Sequence, residues 1–262
     1  MIALVTGASS GIGRDISIEL AKRGIDIIAV ARNVERLNKL KDEIEANNKK
    51  YNLNAKCITK SVDLNDRNSC IKLYEEIINE FEHIDILINN AGFGLCGKFI
   101  ETDLDTELSM IDTNIVAVHV LMKLFLQDMV KRDSGYIMNV ASIAGFMAGP
   151  LMATYYASKN YVVRISQAIR HELKSQNSKV KISCLCPGPV DTNFNATAHV
   201  KFSLKGANSM QVAKFAVKKM FKNKFFILPG AGIKITRFGS KILPDSLMSK
   251  FCYMMQSKKI DR

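Results

Sequence analysis

What most constrains the fold of this chain is an alternation. Short apolar, β-branched runs recur through the first 190 residues, separated by helix-spaced segments. The runs are Ile2–Thr6, Asp26–Ala31, Ala55–Val62, Ile84–Asn89, Gly135–Val140 and Val180–Cys186. Their apolar residues are nearly continuous, as in strands buried on both faces. Between them, Leu37, Leu40 and Ile44, and then Leu73, Ile77, Ile78 and Phe81, fall at helical spacing. Strand–helix–strand units build a parallel sheet covered by helices on both sides. The expected class is therefore α/β with a doubly wound parallel sheet. A last run, Phe225–Leu228, is expected as an edge strand. With no internal repeat and no Pro/Gly/Ser-rich linker, 262 residues read as a single domain.

Charge divides this chain unevenly. Residues 1–200 carry 23 Lys+Arg and 23 Asp+Glu. Residues 201–262 carry 14 Lys+Arg against Asp245 and Asp261, so the whole net charge of +12 sits there. A localised basic region points to an anionic partner, or to a solvated surface. No reading motif accompanies it, so a nucleic-acid module is disfavoured. No uncharged apolar run approaches the ~20 residues that span a bilayer. A strand beginning at Ile2 leaves no room for a signal peptide, and six scattered cysteines without a Cys-x-x-Cys pair read as free thiols. The expected location is cytoplasmic. His83, His119, His171 and His199 lack metal-ligand spacing and read as structural or surface residues, with no metal expected.

The first strand runs into Thr6-Gly-Ala-Ser-Ser-Gly-Ile-Gly13, and a helix follows at once. Gly7, Gly11 and Gly13 permit a tight turn and close approach to a pyrophosphate, which the free N–H groups of the helix start attract. Ser9 and Ser10 add hydroxyl donors, and Ile12 completes the turn. This is the setting in which a glycine triplet signals a dinucleotide, in a Rossmann-type sheet. At the end of the second strand, where NAD sites usually place a carboxylate, this chain has Ala31 and then Arg32. A guanidinium grips a 2′-phosphate that a carboxylate would repel, so NADP(H) is the expected cofactor.

Tyr155 and Lys159 stand four residues apart, on one face of a helix. A neighbouring ammonium is expected to bring the tyrosine pKa, normally about 10, toward working pH. Tyr155 would then serve as general acid or base. Tyr156 has Asn160, not a lysine, four residues on. Cys184 and Cys186 share one face of an expected buried strand and read as core.

With these features the sequence resembles the compact, roughly 250-residue subfamily of short-chain dehydrogenases/reductases. The resemblance runs over residues 1 to about 195. It rests on the Thr6–Gly13 turn, Asp63-Leu64, Asn89-Asn90-Ala91-Gly92, Asn114, Ser142, Tyr155 to Lys159, and Pro187-Gly188-Pro189-Val190 with Thr192. It implies that Ser142 shares the substrate oxygen with Tyr155 and stabilises developing charge. It implies that Asn114 holds a water beside Lys159, and that Lys159 also binds the nicotinamide ribose. Asn90, Ala91 and Gly92 would lie under the cofactor, Asp63 and Leu64 beside the adenine, and Pro187, Gly188, Val190 and Thr192 at the carboxamide. The implied activity is NADP(H)-dependent interconversion of a carbonyl and a secondary alcohol. A catalytically weak NADP(H)-binding regulator and a sugar-nucleotide epimerase or dehydratase are the alternatives.

After Thr192 the resemblance weakens. Residues 1–230 read as the catalytic body, including a substrate loop at about 193–208. Phe194, Val200, Phe202 and Leu204 in that loop point to a lipophilic substrate such as a steroid, bile acid or acyl ketone. Residues 231–262 form a basic extension of the same domain. Its general character is similar to the tails of lipid- and steroid-acting members. It replaces the short terminal strand that packs tetramers, so a homodimer is expected as readily as a homotetramer. A helix starting at Pro244, Asp245 or Ser246 would gather Leu247, Met248, Phe251, Cys252, Met254 and Met255 along one side, with Lys250, Lys258 and Lys259 away from it. Such a helix either packs on its own fold or makes peripheral contact with a membrane.

Overall fold

The computed structural model describes residues 1–192 and 206–260, and the side chains of 1–192 and 206–257. The elements in chain order are β1 (Ile2–Thr6), α1 (Gly11–Ala21), β2 (Asp26–Ala31), α2 (Val34–Tyr51), β3 (Cys57–Ser61), α3 (Arg67–Phe81), β4 (Ile86–Asn89) and α4 (Leu104–Ile111). A π-helical turn (Asp112–Val116) leads to α5 (Ala117–Lys131), β5 (Tyr136–Val140), a 3-10 turn (Ile143–Phe146), α6 (Ala153–Ser175), β6 (Lys181–Leu185) and β7 (Val190–Asp191). The remainder comprises β8 (Ala207–Asn208), α7 (Ser209–Phe221), β9 (Phe226–Ile227), α8 (Ala231–Ile242) and α9 (Asp245–Ile260).

Seven strands form one sheet in the order β3-β2-β1-β4-β5-β6-β9. Every pairing in it is parallel. The order reverses between β1 and β4, and in open α/β sheets ligands bind at the strand C-termini of that switch point. The six expected strands lie where the sequence places them. Their ends are trimmed where pairing runs out: Ala55 and Lys56 precede the first β3 partner, Cys57, which pairs with Ile27. The last run forms the edge strand, shortened to Phe226–Ile227.

Two cores lie on opposite faces of the sheet. One gathers Ile16, Leu20, Leu37, Leu40 and Ile44 with Val212, Val217 and Met220. The other gathers Leu73, Ile77, Leu121, Phe125 and Met129. The helices start where side chains satisfy free backbone donors: Asn33 caps α2, Asp66 caps α3, Asp103 caps α4 and Asn208 caps α7. Leu104–Lys131 is the one helical stretch among the described residues apolar and long enough to cross a bilayer. Its buried side, from Met110 through Leu121 and Phe125 to Met129, belongs to the core of this fold.

Candidate active site

The site begins with a clamp between β1 and β4. The Asn90 amide nitrogen donates to the Thr6 carbonyl at 2.9 Å and to the Gly7 carbonyl at 3.2 Å. The backbone N–H groups of Asn90 and Ala91 donate to Thr6 Oγ1 at 2.9 and 3.0 Å. Gly7, at φ +64°, takes the left-handed conformation that glycine allows cheaply. A Cβ on Gly13 would lie 2.2 Å from Asn90 Nδ2, so this glycine seats α1 against the clamp. Ser10 precedes α1 without capping it through its side chain. The first-turn N–H groups therefore keep their polarity directed at the cleft.

That cleft has a volume of about 1010 Å³, at the upper end of ordinary ligand pockets. It runs from Arg32 past the Gly7–Ile12 turn to Tyr155. Gly7, Ser9, Ser10, Gly11, Ile12, Asp63, Leu64, Asn90, Ala91, Gly92, Pro187, Gly188, Val190 and Thr192 all line it, as do Ser142, Tyr155 and Lys159. Gly13 and Asn114 do not. Gly13 is buried under the turn, and Asn114 is completely enclosed. Arg36 also lines the cleft beside Arg32 and Asn33, and sequence reasoning missed it. The signal was there: Arg36 lies four residues after Arg32, on the first turn of a helix that Asn33 caps.

Asn114 sits in the π-helical turn rather than in regular helix, which widens the backbone there. Its Oδ1 accepts from the Phe93 N–H at 3.1 Å. Its Nδ2 donates to the Phe93 carbonyl at 2.9 Å and to Ser158 Oγ at 3.0 Å. Ser158 in turn donates to the Tyr155 carbonyl at 2.7 Å. Asn114 therefore ties the segment after β4 to the helix that carries Tyr155 and Lys159. Lys159 Nζ donates to the Val140 carbonyl at the end of β5, at 3.1 Å, and lies 5.9 Å from the Tyr155 ring centroid. Ser142 follows β5 and caps the 3-10 turn, its Oγ accepting from the Ala144 N–H at 3.2 Å.

The expected depression of the Tyr155 pKa is not what this site produces. Burial pushes the phenol up to about 12, and a hydrogen bond with Ser142 pulls only partly against it. Burial also brings the Lys159 ammonium down to about 8. Desolvation is the leading cause in both cases, because both side chains are buried. Burial thus favours the neutral form of both side chains.

Phe93, Met147, Met152 and Tyr156 add an apolar wall near Tyr155. Most of the expected substrate loop, with Phe194, Val200, Phe202 and Leu204, lies outside the described residues, as does His199. The tail contributes instead. Gly232, Ile233 and Thr236 of α8, and Phe251, Cys252, Met255 and Gln256 of α9, line the cleft. Gln256 Nε2 donates to the Tyr156 hydroxyl at 2.7 Å. No sequence signal announced this contact. Of the apolar residues expected along one side of α9, Met248 and Cys252 are buried, while Leu247, Phe251, Met254 and Met255 are about half exposed. Cys184 and Cys186 are buried with their sulfurs 3.7 Å apart, as core residues. No group of three or more His, Cys, Asp or Glu side chains suited to a metal occurs among the described residues.

Residues 1–201 match the short chain dehydrogenase family model. The chain belongs to the short-chain dehydrogenase/reductase family. Its sheet is the Rossmann-type sheet of that family, and the protein is an oxidoreductase of it. It is 35% identical over 191 residues to an uncharacterized oxidoreductase of Staphylococcus epidermidis, covering 73% of this chain and 78% of that one. It is 32% identical over 197 residues to a farnesol dehydrogenase of Aedes aegypti, covering 74% and 78%. A short-chain dehydrogenase from Sphingobium yanoikuyae solved with NADPH superposes with a TM-score of 0.79 at 25% identity, covering 95% of each chain. A family member from Burkholderia phymatum solved with NAD gives a TM-score of 0.81 at 23% identity, covering 90% and 91%.

Proposed function

We propose that this protein is an NADP(H)-dependent reductase that interconverts a lipophilic ketone and a secondary alcohol. The observation that carries this reading is the meeting of Tyr155, Ser142 and Lys159 in one cleft with Phe93, Met147, Met152 and Met255. The cleft suits the cofactor on its own evidence. A Cβ on Gly7 would meet Asn90 and Ala91, and one on Gly11 would meet Thr192, so the turn before α1 closes this tightly only with glycine. Arg32 and Arg36 stand beside Ala31, where no carboxylate opposes a 2′-phosphate. Asn90, Ala91, Gly92, Lys159 and the Pro187–Thr192 segment are our candidates for holding the nicotinamide half, and Asp63 and Leu64 for the adenine.

When bound, NADP(H) supplies or accepts the hydride at the substrate's carbonyl carbon. Tyr155 holds the proton, burial raising its phenol to about 12. In reduction it delivers that proton to the substrate oxygen, and in oxidation it takes one back. Ser142 shares that oxygen and stabilises its developing charge. The Lys159 ammonium favours the phenolate that remains. Asn114 acts as a positioning residue, through Ser158 and the backbone of Phe93. A cytoplasmic homodimer is the assembly we favour. The outer side of α4, where Leu104 and Leu108 are exposed, is a surface for a second copy. The basic C-terminal extension is our candidate for reversible contact with a membrane.

Tyr155→Phe should abolish ketone-dependent NADPH oxidation while leaving NADPH affinity, read by fluorescence titration, within about twofold of wild type. Activity equal to wild type would remove Tyr155 from the chemistry. NADPH should outperform NADH in kcat/KM, and the pair Arg32→Asp/Arg36→Asp should narrow or invert that preference. Equal use of both cofactors by the wild type would make the two arginines surface residues.

The reaction should also depend on pH through Lys159. Its charge is present below about pH 8 and lost above it. The kcat/KM for NADPH in reduction should therefore fall as pH rises through that value. Lys159→Arg, whose cation persists above pH 12, should lose that alkaline limb even where its rate is lower. An unchanged limb in this variant would assign the titration to another group.

A further inference from the structure

A second cavity, of about 410 Å³, lies at the β9 edge of the sheet, outside the cleft just described. Lys219, Lys224, Lys234, Arg237 and Lys241 all line it, and no carboxylate does. None of the five makes an ion pair with a carboxylate among the described residues. Arg237 is built into the wall. Its guanidinium carbon stacks 3.6 Å from the Phe226 ring centroid and 5.2 Å from that of Phe146. Its Nε is buried without a hydrogen-bond partner. Burial pushes this guanidinium below its usual range, and the nearby Arg164 adds to that effect. Five cations lining one cavity, one of them carrying an unsatisfied donor, make a site for a multiply bonding anion, and phosphate oxygens match that donor set.

Helix α8 indicates where that anion comes from. Ile233 and Thr236 face the catalytic cleft. Lys234, Arg237 and Lys241, at helical spacing, face the basic cavity. Ile235, Phe238 and Ile242, one position further on in each case, form an apolar side with 71%, 66% and 64% of their surfaces exposed, and Phe238 also borders the cavity. A helix with a cationic side and an exposed apolar side suits a bilayer interface, with lysines at headgroup level and the apolar residues below. A second copy on this face would set the same cations against each other across a twofold axis. A nucleic acid would leave the apolar stripe in water.

We propose that the β9-edge cavity, with the exposed side of α8, is a docking site for the headgroup phosphate of an anionic phospholipid in a bilayer. The proposal rests on the membrane contact suggested above and names its site. It also gives a lipophilic substrate a short route, because the opposite side of α8 lines the catalytic cleft.

The test is co-sedimentation of the full-length protein with vesicles of phosphatidylcholine alone or mixed with phosphatidylglycerol, at low and high salt. Wild type should bind the anionic vesicles at least roughly tenfold more tightly, and salt should weaken that binding. Lys219→Glu/Lys234→Glu/Lys241→Glu should lose most of it. The same number of reversals near the opposite sheet edge, Lys49→Glu/Lys50→Glu/Lys56→Glu, should lose little. Ile235→Ser/Phe238→Ser should weaken binding with no change in net charge. NADPH oxidation with a soluble ketone, and thermal unfolding, check that each variant is folded.

Absence of any preference for anionic vesicles overturns the membrane contact itself. Binding that survives the cavity variant, or falls equally in both triple variants, overturns this site alone. Binding that ignores the apolar substitutions while millimolar inorganic phosphate competes for it would reassign the cavity to a free anion. Comparable affinity for single-stranded RNA would reassign it to nucleic acid. Neither pattern touches the oxidoreductase reading, which is measured without vesicles.

Discussion

The side chains of Thr6 and Asn90 hold the ends of β1 and β4 together, and the functional architecture follows from that clamp. The two strands flank the point where the sheet reverses its order, so the helices that follow them diverge and leave a cleft. Asn90 spends its amide nitrogen on the Thr6 and Gly7 carbonyls, which fixes the glycine turn before any ligand arrives. Gly13 must then be small, because Asn90 occupies the space a Cβ would need. A second polar tie, from Asn114 to Phe93 and Ser158, connects the same region to α6. Buried hydrogen bonds of this kind are costly to break on one side only. They make the relative placement of Arg32, Ser142, Tyr155 and Lys159 a property of the scaffold.

Much of this was legible in the sequence because the responsible signals are local. Continuous β-branched runs reported strands buried on both faces, and the Thr6–Gly13 spacing reported the turn. Four-residue spacing reported that Tyr155 and Lys159 share a face. What was not legible depends on burial and on distant packing. The four-residue spacing gives no measure of how far desolvation raises Tyr155 and lowers Lys159. The sequence names Asn114 but not its setting: the π-helical turn that carries it has no sequence signature of its own, and neither do its bonds to Phe93 and Ser158.

The tail shows the same limit most clearly. Its excess charge was visible as composition, but its division of labour was not. The α9 positions that read as one stripe split between the interior, at Met248 and Cys252, and the surface, at Leu247 and Phe251. The three-sided helix is α8, where neighbouring positions face the cleft, the basic cavity and solvent. Gln256 closes onto Tyr156 from 100 residues away in sequence, a contact only the folded chain could reveal. The family model matches residues 1–201, and α8 and α9, which follow that stretch, add Ile233, Thr236, Phe251 and Met255 to the lining of the cleft.

The central claim is that the Tyr155 cleft reduces a lipophilic carbonyl at the expense of NADPH. The most direct measurement uses NADPH carrying deuterium at the transferable position, with a panel of steroid ketones, β-ketoacyl thioesters and short ketones. Products would be read by mass spectrometry. The account predicts a secondary alcohol with one deuterium on its carbinol carbon, formed fastest from the bulky apolar ketones. Alcohol without the label, or no NADPH consumed by any member of the panel, would contradict it.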